Sequence, residues 1–548
     1  MKQFKFTRGD FFGGLTAGIV ALPLALAFGV QSGMGAAAGL YGAIFLGFFA
    51  AVLGGTPSQI SGPTGPMTVI TAATVASFVA LAGNIENALG SIVVCFLLAG
   101  LLQVIMGILK IGSLIKYIPY PVISGFMSGI GLIIILLQLF PALGQPSPRS
   151  TVEVVKTIGS ALANINFYAL AYSLLTILII YLFPKITKAV PSTLVALIAV
   201  TILSVLLGHE VAVIGSIPEG FPPIRIGNIL SIPTEFYGLI LETAITLAAL
   251  GAIDSLLTSV VADNVTKTKH NSNRELMGQG IGNSIAGIFG GIPGAGATMR
   301  TLVNIRSGGR NRVSGVIHAL VLLVVLLGAG KYAALIPKAV LAGILITVGI
   351  GILDYKGIKH IGKVPRGDAA IMIIVLFVTV FLDLLIAVAI GMVLATLFFM
   401  KKMSDIVEEK TRVTELGSML KETGYEKNDL PDHLTRNVLV KTIDGPLFFG
   451  FAAGFQNQVS KLPEIHYVII KMSKVPFIDQ TGLYALEDAI LALEQRNIDV
   501  ILVGLQQQPE DMLRAIKIVP ALISEKHIFS NLNLAVKWLD ENKNTSSL

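Results

Sequence analysis

The sequence predicts an α-helical membrane protein of fourteen spans, arranged as two inverted seven-span repeats and followed by a small cytoplasmic α/β domain. Three observations lead there. First, 53% of the 548 residues are hydrophobic and only 13% charged, with a mean hydropathy of +0.78, whereas soluble domains carry about 25% charged residues. Second, the deficit is confined: residues 1–400 hold 23 Lys/Arg and 13 Asp/Glu, while residues 401–548 hold 17 and 20. Third, the apolar part is interrupted twice by the same kind of Gly/Pro-rich break. This composition excludes a soluble enzyme, a nucleic-acid binder and a disordered scaffold. The basic charge lies in the membrane part and reads as positive-inside loops rather than a nucleic-acid surface.

A helix needs about 20 apolar residues to cross the hydrocarbon core. Candidates lie near 11–30, 36–53, 90–109, 120–140, 166–183 and 191–207, then near 238–262, 276–290, 314–329, 338–353, 368–381 and 383–400. Thr64–Ala82 and Thr298–Ile305 are apolar but follow broken stretches, and they bring the count to fourteen. With the N-terminus inside, 17 of the 23 basic residues fall on the cytoplasmic face, which sets both termini inside. Met1–Arg8 and the apolar run behind it, which contains Pro23, read as a retained first span rather than a cleaved signal. Cys95 is the single cysteine, so no intramolecular disulfide forms, and seven scattered His give no expectation of a zinc site or of an enzyme.

The two halves echo each other. The run Phe48–Pro57, ending Gly-Gly-Thr-Pro, matches Ser284–Pro293, ending Gly-Gly-Ile-Pro, and Ile118-Pro119 matches Ile336-Pro337. An odd number of spans per repeat inverts the second copy. Inverted repeats broken at the same place are the mark of a secondary transporter. Ser58–Pro63 and Gly294–Ala297 cannot be regular helix, and lipid cannot satisfy extended backbone, so they must line a cavity or be buried in protein. Half-helices starting near Thr64 and Thr298 would then face each other, each presenting free N–H groups and about half a positive charge. That is an anion site, to which Thr64 and Thr298 can add hydroxyls or which they merely cap.

Asp254 lies mid-span in 238–262, where an ionised carboxylate costs about 2.5–3.5 kcal/mol. Thr258, four residues on, shares its helix face. With the carbonyls of Gly296, Ala297 and Thr298 they form an oxygen cage suited to Na⁺. A proton carrier and a pair with Arg300 are the competing readings. Arg300, a cation within a half-helix, either helps hold the anion or points towards the Arg306 cluster.

The proposed division is a transport domain over 1–402 (repeats about 8–207 and 238–402), a charged, irregular linker over 403–435 and an α/β domain over 436–548. In the latter, Val438–Ile443, Tyr467–Met472 and Val500–Val503 read as strands; Phe451–Ser460, Leu483–Gln495 and Pro509–Ile516 read as helices. Asp479 caps the helix that opens at Gln480-Thr481-Gly482, and Thr481 in its first turn is a possible phosphorylation site.

Gly-Pro-Thr-Gly-Pro-Met-Thr at 62–68, the broken inverted halves and the Asp-x-Thr-Gly of the tail resemble the sulfate permease (SulP) family of anion transporters, whose tail is the STAS domain. The resemblance covers essentially the whole chain. Arg8-Gly9-Asp10, Ala21–Gly29 and Gly54–Pro57 are similar to its sodium-dependent bicarbonate branch. The resemblance implies a fold shared with uracil permeases, with spans 1–4 and 8–11 as a substrate-carrying core and spans 5–7 and 12–14 as a gate. It implies bicarbonate near Thr64, Ala297 and Thr298, and Na⁺ as coupling ion at Asp254, Thr258, Gly296, Ala297 and Thr298. It also implies a homodimer formed through the STAS domain, in a bacterial inner membrane. The family's antagonist-type domains carry Ser where this chain has Thr481. The expected function is Na⁺-coupled bicarbonate symport; a proton-coupled or exchanging carrier of sulfate or a dicarboxylate is the alternative.

Overall fold

The computed structural model describes residues 7–148, 150–187, 190–215, 220–225, 232–382, 384–422, 438–448 and 465–542. They form two compact units, divided after Ala395. In the first, a helix stands at each of the fourteen expected segments. The first half contains α1 (Arg8–Gln31), α2 (Ala36–Leu53), α3 (Gly65–Ala82), α4 (Ile85–Ile108), α5 (Tyr120–Ala142), α6 (Thr151–Ala163), α7 (Phe167–Ile186) and α8 (Ser192–Leu207). The second contains α9 (Tyr237–Thr266), α10 (Ser272–Ile288), α11 (Thr298–Arg306), α12 (Arg312–Ala333), α13 (Lys338–Ile352), α14 (Tyr355–His360), α15 (Arg366–Phe381) and α16 (Leu384–Lys410). Eight of the described helices are long and apolar enough to cross a bilayer, and three more apolar helices are shorter. The sequence reading missed α6 and α14. Helix α6 is amphipathic, and Ser150 Oγ caps it by accepting from Glu153 N at 3.2 Å.

The packing repeats between halves. Helix α2 lies on α12 as α10 lies on α4; α1 lies on α12 as α9 lies on α4; α5 lies on α15 as α13 lies on α7. Thus α1–α4 and α9–α12 make one bundle, and α5, α7, α13 and α15 make another. Pro119 and Pro337 are the N-caps of α5 and α13, with φ of −69° and −65°, so the Ile-Pro echo marks equivalent helix starts. Small residues let the helices approach closely: a Cβ on Gly39 would meet the carbonyl of Ala25, and one on Gly42 that of Ile292.

The two breaks form a two-stranded ribbon. Strand β1 (Ser61–Gly62) pairs antiparallel with β2 (Ala295–Gly296), with Ser61 opposite Gly296 and Gly62 opposite Ala295. Antiparallel pairing is what an inverted repeat requires of matching segments.

The second unit holds a five-stranded sheet in the order β3-β4-β5-β6-β7: β3 (Arg412–Glu415), β4 (Val438–Asp444), β5 (Tyr467–Lys474), β6 (Asp499–Val503) and β7 (Ile528–Phe529). Strand β3 is antiparallel to β4 and the remaining pairs are parallel. Helices α17 (Leu416–Glu422), α18 (Gln480–Glu494), α19 (Gln507–Ala515) and α20 (Leu532–Asn542) accompany it. The stretch read as an irregular linker is ordered helix and edge strand as far as Glu422, because β3 completes the sheet edge that β4 would otherwise expose. The expected helix Phe451–Ser460 lies outside the described residues.

Candidate functional site

The ribbon places two helix starts side by side. Thr64 is the N-cap of α3, with extended backbone (φ −123°, ψ 159°) and no capping bond from its own side chain. Its hydroxyl donates to Asp254 Oδ2 at 2.7 Å. The N-cap of α11 is Ala297, not Thr298. The equivalent of Thr64 is therefore Ala297, one residue earlier than the matching of the two threonines suggests. Neither threonine is simply a cap. Thr298 lies in the first turn of α11, where its Oγ1 pairs with Thr258 Oγ1 at 2.7 Å.

Helix α9 supplies the polar wall. Asp254 and Thr258 are one turn apart and buried. Thr258 Oγ1 also lies 2.9 Å from the Gly296 carbonyl, and Ser255 Oγ accepts from Gly296 N at 3.1 Å. Thr258, Gly296 and Thr298 thus form one cluster of hydroxyl and carbonyl oxygens. Asp254 bonds across to Thr64 on the opposite half-helix. Arg300 is 2% exposed and makes no ion pair with Asp254 among the described residues; its Nη2 donates to the Pro63 carbonyl at 2.5 Å. It braces the first break and does not point along its helix towards Arg306. Thr298 is half-buried and Met299, beside it, is 68% exposed.

Behind the ribbon lies a polar network that the sequence reading did not find. Glu275 on α10, 1% exposed, accepts from Gly55 N, Thr56 N, Gln59 Nε2 and Gln279 Nε2 at 2.7–2.8 Å. Gln279 Nε2 also donates to Ser61 Oγ, and Ser259 Oγ joins Gln59 to Thr56. Arg312 caps the end of α2 by donating to the carbonyls of Ala51, Val52 and Gly54. Asn283 brackets Gly294, its Oδ1 accepting from the amide N–H at 2.9 Å and its Nδ2 donating to the carbonyl at 3.0 Å. Buried polar groups of this kind are costly unless satisfied. Here they fix extended backbone at depth, as lipid-buried breaks require. The sequence signal was available only as amides and a carboxylate within small-residue helices.

In the second unit Asp479 caps α18 as expected, its Oδ1 accepting from Gly482 N at 2.7 Å, and Thr481 is exposed.

Two inverted, broken helix pairs meeting at a buried carboxylate, joined in one chain to an α/β domain, define a membrane transporter with an α/β tail. Residues 7–375 match the Sulfate permease family and residues 432–535 the STAS domain. The chain belongs to the sulfate permease family. It is 42% identical over 535 residues to a protein named bicarbonate transporter BicA from Picosynechococcus sp., covering 96% of this chain and 94% of that protein. The solved transmembrane domain of a cyanobacterial bicarbonate transporter BicA superposes with a TM-score of 0.65 at 48% identity, over 70% of this chain and 98% of that one. The murine Slc26a9 anion transporter in its inward-facing state shares the fold over 99% of this chain and 93% of its own, with a TM-score of 0.84 at 20% identity.

Proposed function

We propose that the chain is a Na⁺-coupled bicarbonate symporter of the bacterial plasma membrane, with fourteen spans, both termini cytoplasmic and a homodimer formed through the STAS domain. The relatives named as bicarbonate transporters support the anion. One observation carries the mechanism: the β1–β2 ribbon sets the N-termini of α3 and α11 beside a carboxylate that bonds to the first of them. Bicarbonate binds between those N-termini, held by backbone N–H groups and helix dipoles and by the hydroxyls of Thr64 and Thr298. Arg300 adds positive field from behind Pro63. Na⁺ takes the oxygens of Asp254, Thr258, Gly296, Ala297 and Thr298. It neutralises Asp254, which would otherwise repel the anion, and so makes anion binding depend on the cation. The bundle of α1–α4 and α9–α12 carries both ions past α5, α7, α13 and α15, exposing them to each side in turn.

Labelled bicarbonate uptake into proteoliposomes, with imposed Na⁺ or proton gradients, tests this. Uptake driven by Na⁺ and not displaced by sulfate or fumarate is the expected result. Uptake that follows pH, ignores Na⁺ and is displaced by sulfate or a dicarboxylate would assign the site to the other carriers of the family.

A further inference from the structure

The two breaks are equivalent but are not held equivalently. Gly62 pairs with Ala295, and the N-caps Thr64 and Ala297 correspond, so Ser61 is the counterpart of Gly294. The runs Phe48–Pro57 and Ser284–Pro293 likewise make Gly47 the counterpart of Asn283. In the second half Asn283 satisfies both backbone groups of Gly294. In the first half Gly47 has no side chain to do the same for Ser61.

What stands there is His318, from α12. A Cβ built on Gly47 would lie 3.1 Å from His318 Nδ1 and 3.1 Å from the Ser61 carbonyl oxygen, so imidazole and carbonyl border the same small space. His318 is fully buried, and neither ring nitrogen has a hydrogen-bond partner among the described residues. Arg300 Nη1 is also buried without a partner. It lies 2.7 Å from where a Gly62 Cβ would be, against Ala43, one turn from Gly47 on α2, and its guanidinium acts electrostatically on His318.

We propose that His318 is a positioning residue for the anion site, one that nothing in its sequence neighbourhood announces. The described geometry leaves the bonds of His318 unmade; on a turn of the ring the neutral imidazole accepts from Arg300 Nη1–H through one nitrogen and donates through the other to the Ser61 carbonyl. That single relay satisfies three buried groups. It fixes Ser61–Thr64 from behind, as Asn283 fixes Gly294–Ala297. The inference rests on the reading of Thr64 as part of the anion site.

Anion uptake kinetics in proteoliposomes test it, measured with whichever anion the wild type carries. His318→Leu keeps the volume but removes both hydrogen-bonding functions. It is expected to raise the anion KM about tenfold, the effect of leaving buried groups unpaired, with kcat within about twofold. His318→Gln keeps a donor and an acceptor and stays within about threefold of wild type. The double variant Gly47→Asn/His318→Ala transplants the second half's device to the first and recovers most of the lost affinity. A wild-type KM in His318→Leu overturns the relay, as does a His318→Gln variant as impaired as Leu. Where His318→Leu does not survive purification, His318→Gln decides alone: a KM within threefold supports the relay and a tenfold rise overturns it. A wild-type protein that ignores bicarbonate refutes the proposed function instead and leaves this comparison intact.

Discussion

Replacing Asp254 with Asn separates the two things its carboxylate does. The hydrogen bond from Thr64 Oγ1, 2.7 Å long, survives, because the Asn side-chain carbonyl still accepts it. The charge does not. A unit charge pair about 4 Å apart at an effective dielectric of about 20 is worth about 4 kcal/mol, which is close to a thousandfold in Na⁺ affinity at about 1.4 kcal/mol per tenfold. The Na⁺ concentration giving half-maximal bicarbonate uptake should therefore rise beyond the accessible range, while protein yield and the melting transition stay near wild type. Asp254→Ala removes the Thr64 acceptor as well and adds the cost of an unpaired buried hydroxyl, about 1–3 kcal/mol, so its melting transition should also fall. Labelled bicarbonate uptake across a Na⁺ titration, at fixed pH and membrane potential, reads both variants. An Asn variant with unchanged Na⁺ stimulation would refute the sodium role. An Asn variant that loses a pH-driven component while Na⁺ has no effect on either protein would make Asp254 a proton carrier.

Thr64→Val is nearly isosteric and removes the only hydroxyl at the α3 N-cap; bicarbonate KM should rise about tenfold, and Thr64→Ser should restore it, both read from uptake kinetics. Glu275→Ala strands the four donors that converge on its carboxylate. At about 1 kcal/mol or more each the melting temperature of the detergent-solubilised protein should fall by about 10 °C, visible by thermal-shift fluorescence. In the STAS unit, burial on β4 pushes the Lys441 ammonium down to about 8. Its folded value lies below its unfolded one, so folding releases its proton at intermediate pH. Stability of this unit should then rise with pH between about 8 and 10, and Lys441→Met should remove that slope in chemical denaturation followed at the single tryptophan, Trp538.

The helices were legible because lipid imposes length and apolarity on each of them, and the breaks because Gly and Pro interrupt both patterns at matching places. Asp254 stood out for the same reason: an acid in mid-span has to be explained. Its partner was not legible. Thr258 shares its face of α9, but the structure gives the carboxylate to Thr64, 190 residues away in sequence, a pairing that only the ribbon brings about. Glu275, Gln279 and Asn283 escaped notice because Gly55, Thr56 and Gln59, Ser61, and Gln103, to which they respectively bond, come from the other half of the chain, and His318 because it sits in a largely apolar helix. Strands β3 and β7 are short edges, of four and two residues, whose side chains carry no alternation. Helix α6 has few buried residues and lies below the length of a span, so hydropathy passes over it.

The inverted repeat gives the two halves the same backbone and leaves their side chains free to differ, and they differ at the ribbon. Helix α9 carries Asp254 at the ribbon. Its counterpart α1 has one acid, Asp10, in its first turn, and that carboxylate is already occupied by the backbone N–H groups of Arg310 and Asn311 and the Asn311 side chain. The second half is held rigidly by Asn283 at Gly294, and its cluster of Thr258, Gly296 and Thr298 is complete within that half. The first half contributes the hydroxyl of Thr64, which reaches across to the acid. On the proposed coupling, a cation at Asp254 would compete with Thr64 for the carboxylate. In the proposed cycle, cation binding would release the Thr64 hydroxyl from the carboxylate and free it to donate to an anion at the N-terminus of α3. In that proposal, one hydrogen bond exchanged between two halves of a pseudo-symmetric fold would make binding of the second ion wait for the first.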